Sequence, residues 1–301
     1  MTNLLSLLRA MAREDQILID EPMSCHTTFR VGGPADVMFL PESPEQAVAA
    51  IKAARGADVP VMVIGNGSNL LVRDGGIRGL VVALGEGMAA IARVENAVTA
   101  WAGASLARVS AYAQASALSG LEFASGIPGS LGGGCAMNAG AYGGQLSDVL
   151  IDAQVYLDGE VHTLTRDEMQ MGYRTTLPLR EGGVVLSARF GLRPDDPEAI
   201  AARMRDLNAR RREKQPLNFP SAGSTFKRPE GYFAGAVIEQ AGLKGRSVRG
   251  AQVSEKHAGF IVKTGEADAA DILALIHIVQ DEVKARFGVT LEPEVRIVGE
   301  D

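Results

Sequence analysis

Short apolar runs separated by glycine and proline, rather than long amphipathic stretches, fill the first two thirds of the chain. Their spacing predicts strands over 36–40, 59–64 and 80–84 around one helix at 44–55. A strand over 97–102 is followed by a helix that Ser105 can cap, running to Leu118. The runs 149–157 and 160–164 read as a hairpin about Asp158-Gly159, and 184–192 closes this β-rich region. Pro194 and Pro197 then introduce a helix from Glu198 to about Lys214. Farther on, a short helix is expected near 234–241 and a longer one over 268–287. In the latter, Ile272, Leu275, Ile276, Val279, Val283 and Phe287 share a face and Gly288 supplies the stop. A final strand alternates Leu291, Pro293, Val295 and Ile297 with Glu292, Glu294 and Arg296. That pattern places both carboxylates on one polar face and does not choose between them. At the beginning, Leu4, Leu5, Leu7 and Leu8 meet Arg9, Arg13, Glu14 and Asp15, which reads as an amphipathic helix and not as a leader. No run approaches the roughly twenty apolar residues of a membrane span.

The densest departure from this pattern is 126–144, GIPGSLGGGCAMNAGAYGG, with glycine at eight of nineteen positions. Inside a regular element each glycine costs roughly 0.5–1 kcal/mol relative to alanine, so the composition needs another reason. A backbone without side chains can approach a flat or anionic group closely and aim N–H groups at it. A P-loop is excluded, because no lysine occurs between Lys52 and Lys214. A dinucleotide fingerprint is also a poor fit. Its nearest match, Gly65-Asn66-Gly67-Ser68-Asn69-Leu70, lacks the third glycine and leads into strand, turn and strand instead of a helix. Two glycine-rich segments in one β region suit a cofactor held between two small subdomains.

Composition narrows the class only a little. The 301 residues are 46% apolar and 22% charged, ordinary globular usage and long enough for two or three domains. A net charge of −6 argues against a general nucleic-acid binder. Cys25 and Cys135 are the only cysteines and His26, His162 and His277 show no ligand spacing, so neither a disulfide framework nor a metal site is expected.

Taken in order, several segments resemble the UDP-N-acetylenolpyruvoylglucosamine reductase family. They are Thr28-Phe29-Arg30-Val31-Gly32-Gly33-Pro34-Ala35, GNGSNLL at 65–71, and IPGSLGG at 127–133 with Met137-Asn138-Ala139-Gly140-Ala141-Tyr142-Gly143. Gly172-Tyr173-Arg174, Ser221-Ala222-Gly223-Ser224-Thr225-Phe226-Lys227 and Leu291-Glu292-Pro293-Glu294-Val295-Arg296 follow. The likeness runs from about Cys25 to the last residues. It implies an α+β flavoenzyme with a vanillyl-alcohol-oxidase-like (PCMH-type) FAD-binding domain of two subdomains and a smaller C-terminal α+β substrate domain. The expected division is 1–21 as an N-terminal helical extension, 22–197 as the FAD-binding domain with subdomains of about 22–84 and 85–197, 198–216 as a linking helix, and 217–301 as the substrate-binding domain. No insertion is evident between Arg174 and Lys214. This chain therefore resembles the family's compact subgroup, not the one whose added loop carries a tyrosine over the substrate diphosphate.

What the resemblance implies for chemistry is specific. NADPH reduces FAD, and the enolpyruvyl group of UDP-N-acetylglucosamine enolpyruvate is then reduced to UDP-N-acetylmuramate, a peptidoglycan precursor. Ser224, by itself an ordinary loop serine, matches the family's proton donor; Arg174 and Glu294 match the groups that stabilise the enolate, the match selecting Glu294 over Glu292. FAD, bound noncovalently, is assigned Gly65, Asn66, Gly67, Ser68, Asn69 and Leu70 around its pyrophosphate. Its flavin is assigned Gly126, Ile127, Pro128, Gly129, Ser130, Gly132, Gly133, Asn138, Ala139 and Gly140. Lys214, Lys227, Arg228 and His257 match substrate-contacting places. The family usually has serine where Thr176 stands and asparagine where Lys263 stands. The expected setting is the cytoplasm, with the UDP-sugar and NADPH as small-molecule partners and with no nucleic acid, membrane or obligate protein partner. Two rivals remain: an alcohol or hydroxy-acid oxidase of the same FAD fold, and a non-catalytic nucleotide-sugar binder.

Overall fold

The computed structural model describes residues 1–301. They form two compact units, each assembled from three stretches of chain. The first comprises Met1–Leu18, Met38–Asn66 and Gly79–Arg211; the second comprises Ile19–Val37, Gly67–Arg78 and Arg212–Asp301.

In the first unit, helix α1 (Thr2–Met11) buries Leu4 and Leu8, as its amphipathic pattern requires. Helix α2 (Pro44–Gly56) starts where Ser43 accepts the Gln46 N–H at 3.2 Å and where proline fits the first turn. Strands Val61–Ile64 and Ile77–Ala83 pair in parallel from Val61↔Leu80 to Ile64↔Ala83. A five-stranded antiparallel sheet follows, in the order Glu160–Thr165, Leu150–Leu157, Val184–Gly191, Ala97–Trp101, Ile91–Val94. Its hairpin turns at Asp158 and Gly159, both at positive φ (51° and 87°), the backbone that a two-residue turn with the strands' twist demands.

Val98, Ala100, Ala153, Val155, Val185, Ala188 and Phe190 share one buried cluster with Leu106, Val109, Leu131 and Cys135 of helices α3 (Leu106–Ala115) and α4 (Leu131–Ala136). Ser105 caps α3, accepting the Arg108 N–H at 3.2 Å. The helix ends short of the expected Leu118, because Ala117 turns left-handed (φ 56°) and Leu118–Ser119 pairs with Arg193–Pro194. Helices α5 (Leu177–Glu181) and α6 (Pro197–Lys214) complete this part of the chain.

In the second unit, strands Ser247–Val248, Ala251–Val253 and Ile261–Lys263 form an antiparallel sheet beside helices α7 (Ala234–Gln240) and α8 (Ala269–Phe287). Asp268 begins α8 by accepting the Asp271 N–H at 3.0 Å, and Asp74 accepts the Ala269 and Ala270 N–H groups, each at 2.9 Å. Gly288, at φ 69°, ends it. Ile272, Leu275, Ile276, Val279 and Val283 are buried in one core with Phe29, Val31, Leu71, Phe226, Leu291 and Val295, whereas Phe287 stays 36% exposed at the helix end. Strand Leu70–Val72 runs parallel to Arg296–Val298, Leu71 opposite Ile297. No helix in either unit is long and apolar enough to cross a membrane.

Candidate functional site

The two glycine segments meet at Gly65 and Ser130. A Cβ on Gly65 would lie 1.9 Å from the Ser130 hydroxyl, so the first segment lies flat on the second only as glycine. The second is seated through its backbone: Leu131 N–H donates to the Ala104 carbonyl at 2.8 Å and Gly132 N–H to that of Ala102 at 2.9 Å. Most of its glycines are explained by packing against protein. A Cβ on Gly132 would meet Ala102 at 2.8 Å, one on Gly134 would meet Leu106 at 3.0 Å, one on Gly140 the Gly144 carbonyl at 2.7 Å, and one on Gly144 the Phe123 ring at 2.7 Å. Gly133 is different, being exposed, with nothing closer than the Ser130 hydroxyl at 3.7 Å. It leaves bare backbone available to a ligand. Cys135 is fully buried, and burial pushes its thiol up to about 12, so it is inert.

Asn138 ties the segment to a turn that bears Arg174. Asn138 is buried at positive φ (45°), accepts the Ser147 N–H at 3.0 Å, and donates to the Gly172 carbonyl at 3.1 Å. Gly172 and Thr175 close a tight turn, the Gly172 N–H donating to Thr175 at 2.9 Å. Arg174 stands on it at φ 55°, its guanidinium 5.3 Å from the exposed Tyr173 ring. Thr176, fully buried, donates its hydroxyl to the Ala136 carbonyl at 2.7 Å and accepts the Leu179 N–H at 3.3 Å. It therefore caps α5 and fastens the Arg174 turn to the last residue of α4. A serine makes the same two bonds, which explains why either residue serves there.

From α6, Arg211 reaches the segment's first residue and nearly its last. Its guanidinium donates to the Gly126 carbonyl and lies 5.8 Å from the Tyr142 ring. Arg211 is 7% exposed, and burial lowers its pKa, partly offset by the neighbouring Tyr142. Lys214, at the end of α6, is exposed.

In the second unit Ser224 and Glu294 are held by one residue. Thr225, buried between them, donates its N–H to the Gly259 carbonyl at 2.8 Å, accepts the Ile261 N–H on its hydroxyl at 3.0 Å, and accepts the Glu294 N–H on its carbonyl at 2.8 Å. Ser224, directly before it, is exposed. The regular final strand expected from 291 shrinks to Arg296–Val298, with a single bridge between Phe226 and Pro293 ahead of it. The two carboxylates are consequently unlike: Glu292 is exposed and pairs with Lys227 at 3.2 Å, whereas Glu294 is half-buried.

His257 organises the loop behind Thr225. Its Nδ1 accepts the Gly259 N–H at 3.1 Å, and its ring meets Phe260 edge-on at 5.0 Å. Burial, above all, lowers its pKa, so the ring is neutral with its proton on Nε2. Arg228 stacks 3.9 Å above Phe233. Lys263 donates to the Arg30 carbonyl at 3.2 Å, so its ammonium has a backbone partner where the family usually carries an amide.

The loop after Gly65 is equally constrained. Gly67 sits at φ 58°, and a Cβ there would lie 2.0 Å from the His26 carbonyl oxygen. Thr28 N–H donates to the Gly67 carbonyl at 3.3 Å, while the Thr28 hydroxyl is a buried side-chain oxygen without a hydrogen-bond partner. An orphaned polar atom beside a bare-backbone loop is what a polar cofactor would leave in the protein alone.

An FAD binding domain model matches residues 35–165, and a model of the UDP-N-acetylenolpyruvoylglucosamine reductase C-terminal domain matches 215–298. A UDP-N-acetylenolpyruvoylglucosamine reductase of Agathobacter rectalis is 56% identical over 297 residues, covering 94% of each chain. One from Clostridioides difficile is 48% identical over 298 residues, covering 99% of this chain and 98% of its own. The crystal structure of the Thermus caldophilus enzyme superposes with a TM-score of 0.78 at 34% identity, covering 93% of this chain and 97% of that one. With relatives this similar along nearly the whole length, the chain belongs to the UDP-N-acetylenolpyruvoylglucosamine reductase family.

Proposed function

We infer that this protein reduces the enolpyruvyl group of UDP-N-acetylglucosamine enolpyruvate to give UDP-N-acetylmuramate, with NADPH as reductant and noncovalent FAD as carrier. The observation that carries the reading is the near-complete match to reductases of that name, together with the fastening of Ser224 and Glu294 to the same Thr225. FAD fits the residues present: Gly65 and Ser130 bring the two segments together, Gly133 offers bare backbone, and the Thr28 hydroxyl beside Gly67 lacks a partner.

Gly65, Asn66, Gly67, Ser68, Asn69 and Leu70 hold the pyrophosphate, and residues between Gly126 and Gly140 line the flavin. When bound, FAD supplies hydride transfer, which no side chain can perform. The protein's part is to position, polarise and protonate. The Arg174 guanidinium matches the substrate carboxylate through parallel hydrogen bonds and stabilises charge gathering on the enolate. Glu294 assists at the same enolate, and Ser224 gives its hydroxyl proton to the carbon bearing the carboxylate. Lys214, Lys227 and Arg228 supply positive charge for the nucleotide diphosphate. His257 supports them by holding the Gly259 loop. The reaction is placed in the cytoplasm, where its nucleotide-sugar substrate is made.

The test is a purified yellow protein incubated anaerobically with NADPH and the enolpyruvyl substrate. Substrate-dependent NADPH oxidation is expected, with one saturated lactyl ether formed per NADPH. An oxidase of the same fold would instead consume oxygen and ignore the sugar nucleotide, and that outcome would replace this reading.

A further inference from the structure

Arg211 is the one residue of α6 that grips both ends of the segment 126–144. Its guanidinium donates to the Gly126 carbonyl, and its Cδ and Nε lie 3.2 Å from where a Gly126 Cβ would be. Asn208, one turn earlier, would meet that Cβ at 2.3 Å and donates to the Ser125 hydroxyl at 3.2 Å. At the far end, Tyr142 and Gly143 form a two-residue turn at φ 53° and 87° between strands Gly140–Ala141 and Gly144–Gln145. A tyrosine in that backbone is strained, and the residue is 43% exposed. The Arg211 guanidinium lies 5.8 Å from the centre of that ring, within reach of a cation–π contact.

Burying a guanidinium without a carboxylate is costly, so its remaining contacts must be good. Those contacts span the stretch that the proposed function assigns to the flavin. We infer that Arg211 is a positioning residue: by holding Gly126 and Tyr142 together it sets the curvature of the backbone between them, and with it the fit of that backbone to the flavin ring. This rests on the reading of 126–140 as flavin lining. A lysine, with one compact charge on a flexible stem, cannot hold the carbonyl and the ring at once.

Arg211→Met, Arg211→Lys, Tyr142→Leu and the Arg211→Met/Tyr142→Leu pair decide the matter. Flavin release is followed by fluorescence on dilution of each holoprotein, alongside its visible absorption bands and far-ultraviolet circular dichroism. Arg211→Met is expected to weaken FAD binding roughly 10- to 100-fold, from loss of a charged hydrogen bond, and to blur the flavin bands while the circular dichroism stays unchanged. Arg211→Lys should recover only part of the loss. The pair should be hardly worse than Arg211→Met alone, because the two residues act as one contact. Affinity within about twofold of the parent in Arg211→Met, or fully additive losses in the pair, would overturn the inference. Should Arg211→Met fail to fold, Tyr142→Leu decides alone, and parental affinity and bands there have the same force. A parent protein that binds no FAD would instead refute the proposed function.

Discussion

The side-chain amide of Asn69 donates to the backbone carbonyl of Glu294 at 3.0 Å, and Asn69 in turn accepts the Arg296 N–H on its own carbonyl at 3.0 Å. The end of the loop assigned to the pyrophosphate and the segment bearing the proposed catalytic carboxylate, just ahead of the final strand, are thus one hydrogen-bonded piece. Thr225, accepting the Glu294 N–H, joins Ser224 to it.

Ser224→Ala removes the proposed proton and little else, since Ser224 is exposed and Thr225 holds its loop. Flavin reduction by NADPH should continue at close to the parental rate. Reoxidation by the enolpyruvyl substrate should fall roughly 10²- to 10⁴-fold, measured by stopped-flow with each half-reaction isolated. Equal slowing of both halves would make Ser224 structural.

Glu294→Gln should slow the same reoxidation strongly and leave FAD content intact. Glu292→Gln should do little, because its exposed pair with Lys227 contributes within about 1 kcal/mol. If the two effects came out reversed in the same stopped-flow comparison, Glu294 would lose its assigned role.

At Thr176 the hydroxyl is expected to matter and the methyl group not. Thr176→Ser should keep both hydrogen bonds and change stability by less than about 1 kcal/mol, whereas Thr176→Ala leaves a helix uncapped and should cost about 2–3 kcal/mol. Urea unfolding followed by circular dichroism measures the difference. Similar midpoints for serine and alanine would refute it.

His257 gives stability a pH dependence of known sign. Its folded pKa lies below the unfolded value because burial opposes charging, so the unfolded chain binds the proton first on acidification. Its contribution is fully present above the ordinary histidine pKa and is lost as pH falls below it. Denaturant unfolding between pH 7.5 and 5 should show His257→Gln losing less stability than the parent over that interval. The difference can reach at most about 1.4 kcal/mol per pH unit. A parallel fall in both proteins would remove His257 as the cause.

The glycine segments, helix α8 between Asp268 and Gly288, and the Asp158-Gly159 hairpin were legible because each is a local signal, read within a few residues. The different fates of Glu292 and Glu294 were not, since periodicity treats them alike. Contacts with Lys227 and Thr225, far off in sequence, distinguish them. Arg211 was hidden for the same reason. Within Arg210-Arg211-Arg212-Glu213-Lys214 it reads as part of a solvated helix end, and its partner carbonyl lies 85 positions away. The glycine-rich tract has a second reason for its composition that only the fold reveals: close packing against Ala102, Leu106, Phe123 and α6.

The parallel pairing of Leu70–Val72 with Arg296–Val298 has a consequence in time. Asn69 and Glu294 are separated by 225 positions, so a ribosome has made nearly the entire polypeptide before the loop that begins at Gly65 can be fixed at its far end. Until then Leu71, fully buried in the finished molecule, has no final strand beside it. Nascent chains must therefore wait for their last residues before the loop proposed to hold the nucleotide is finished, and a message cut short near its end should yield a colourless protein.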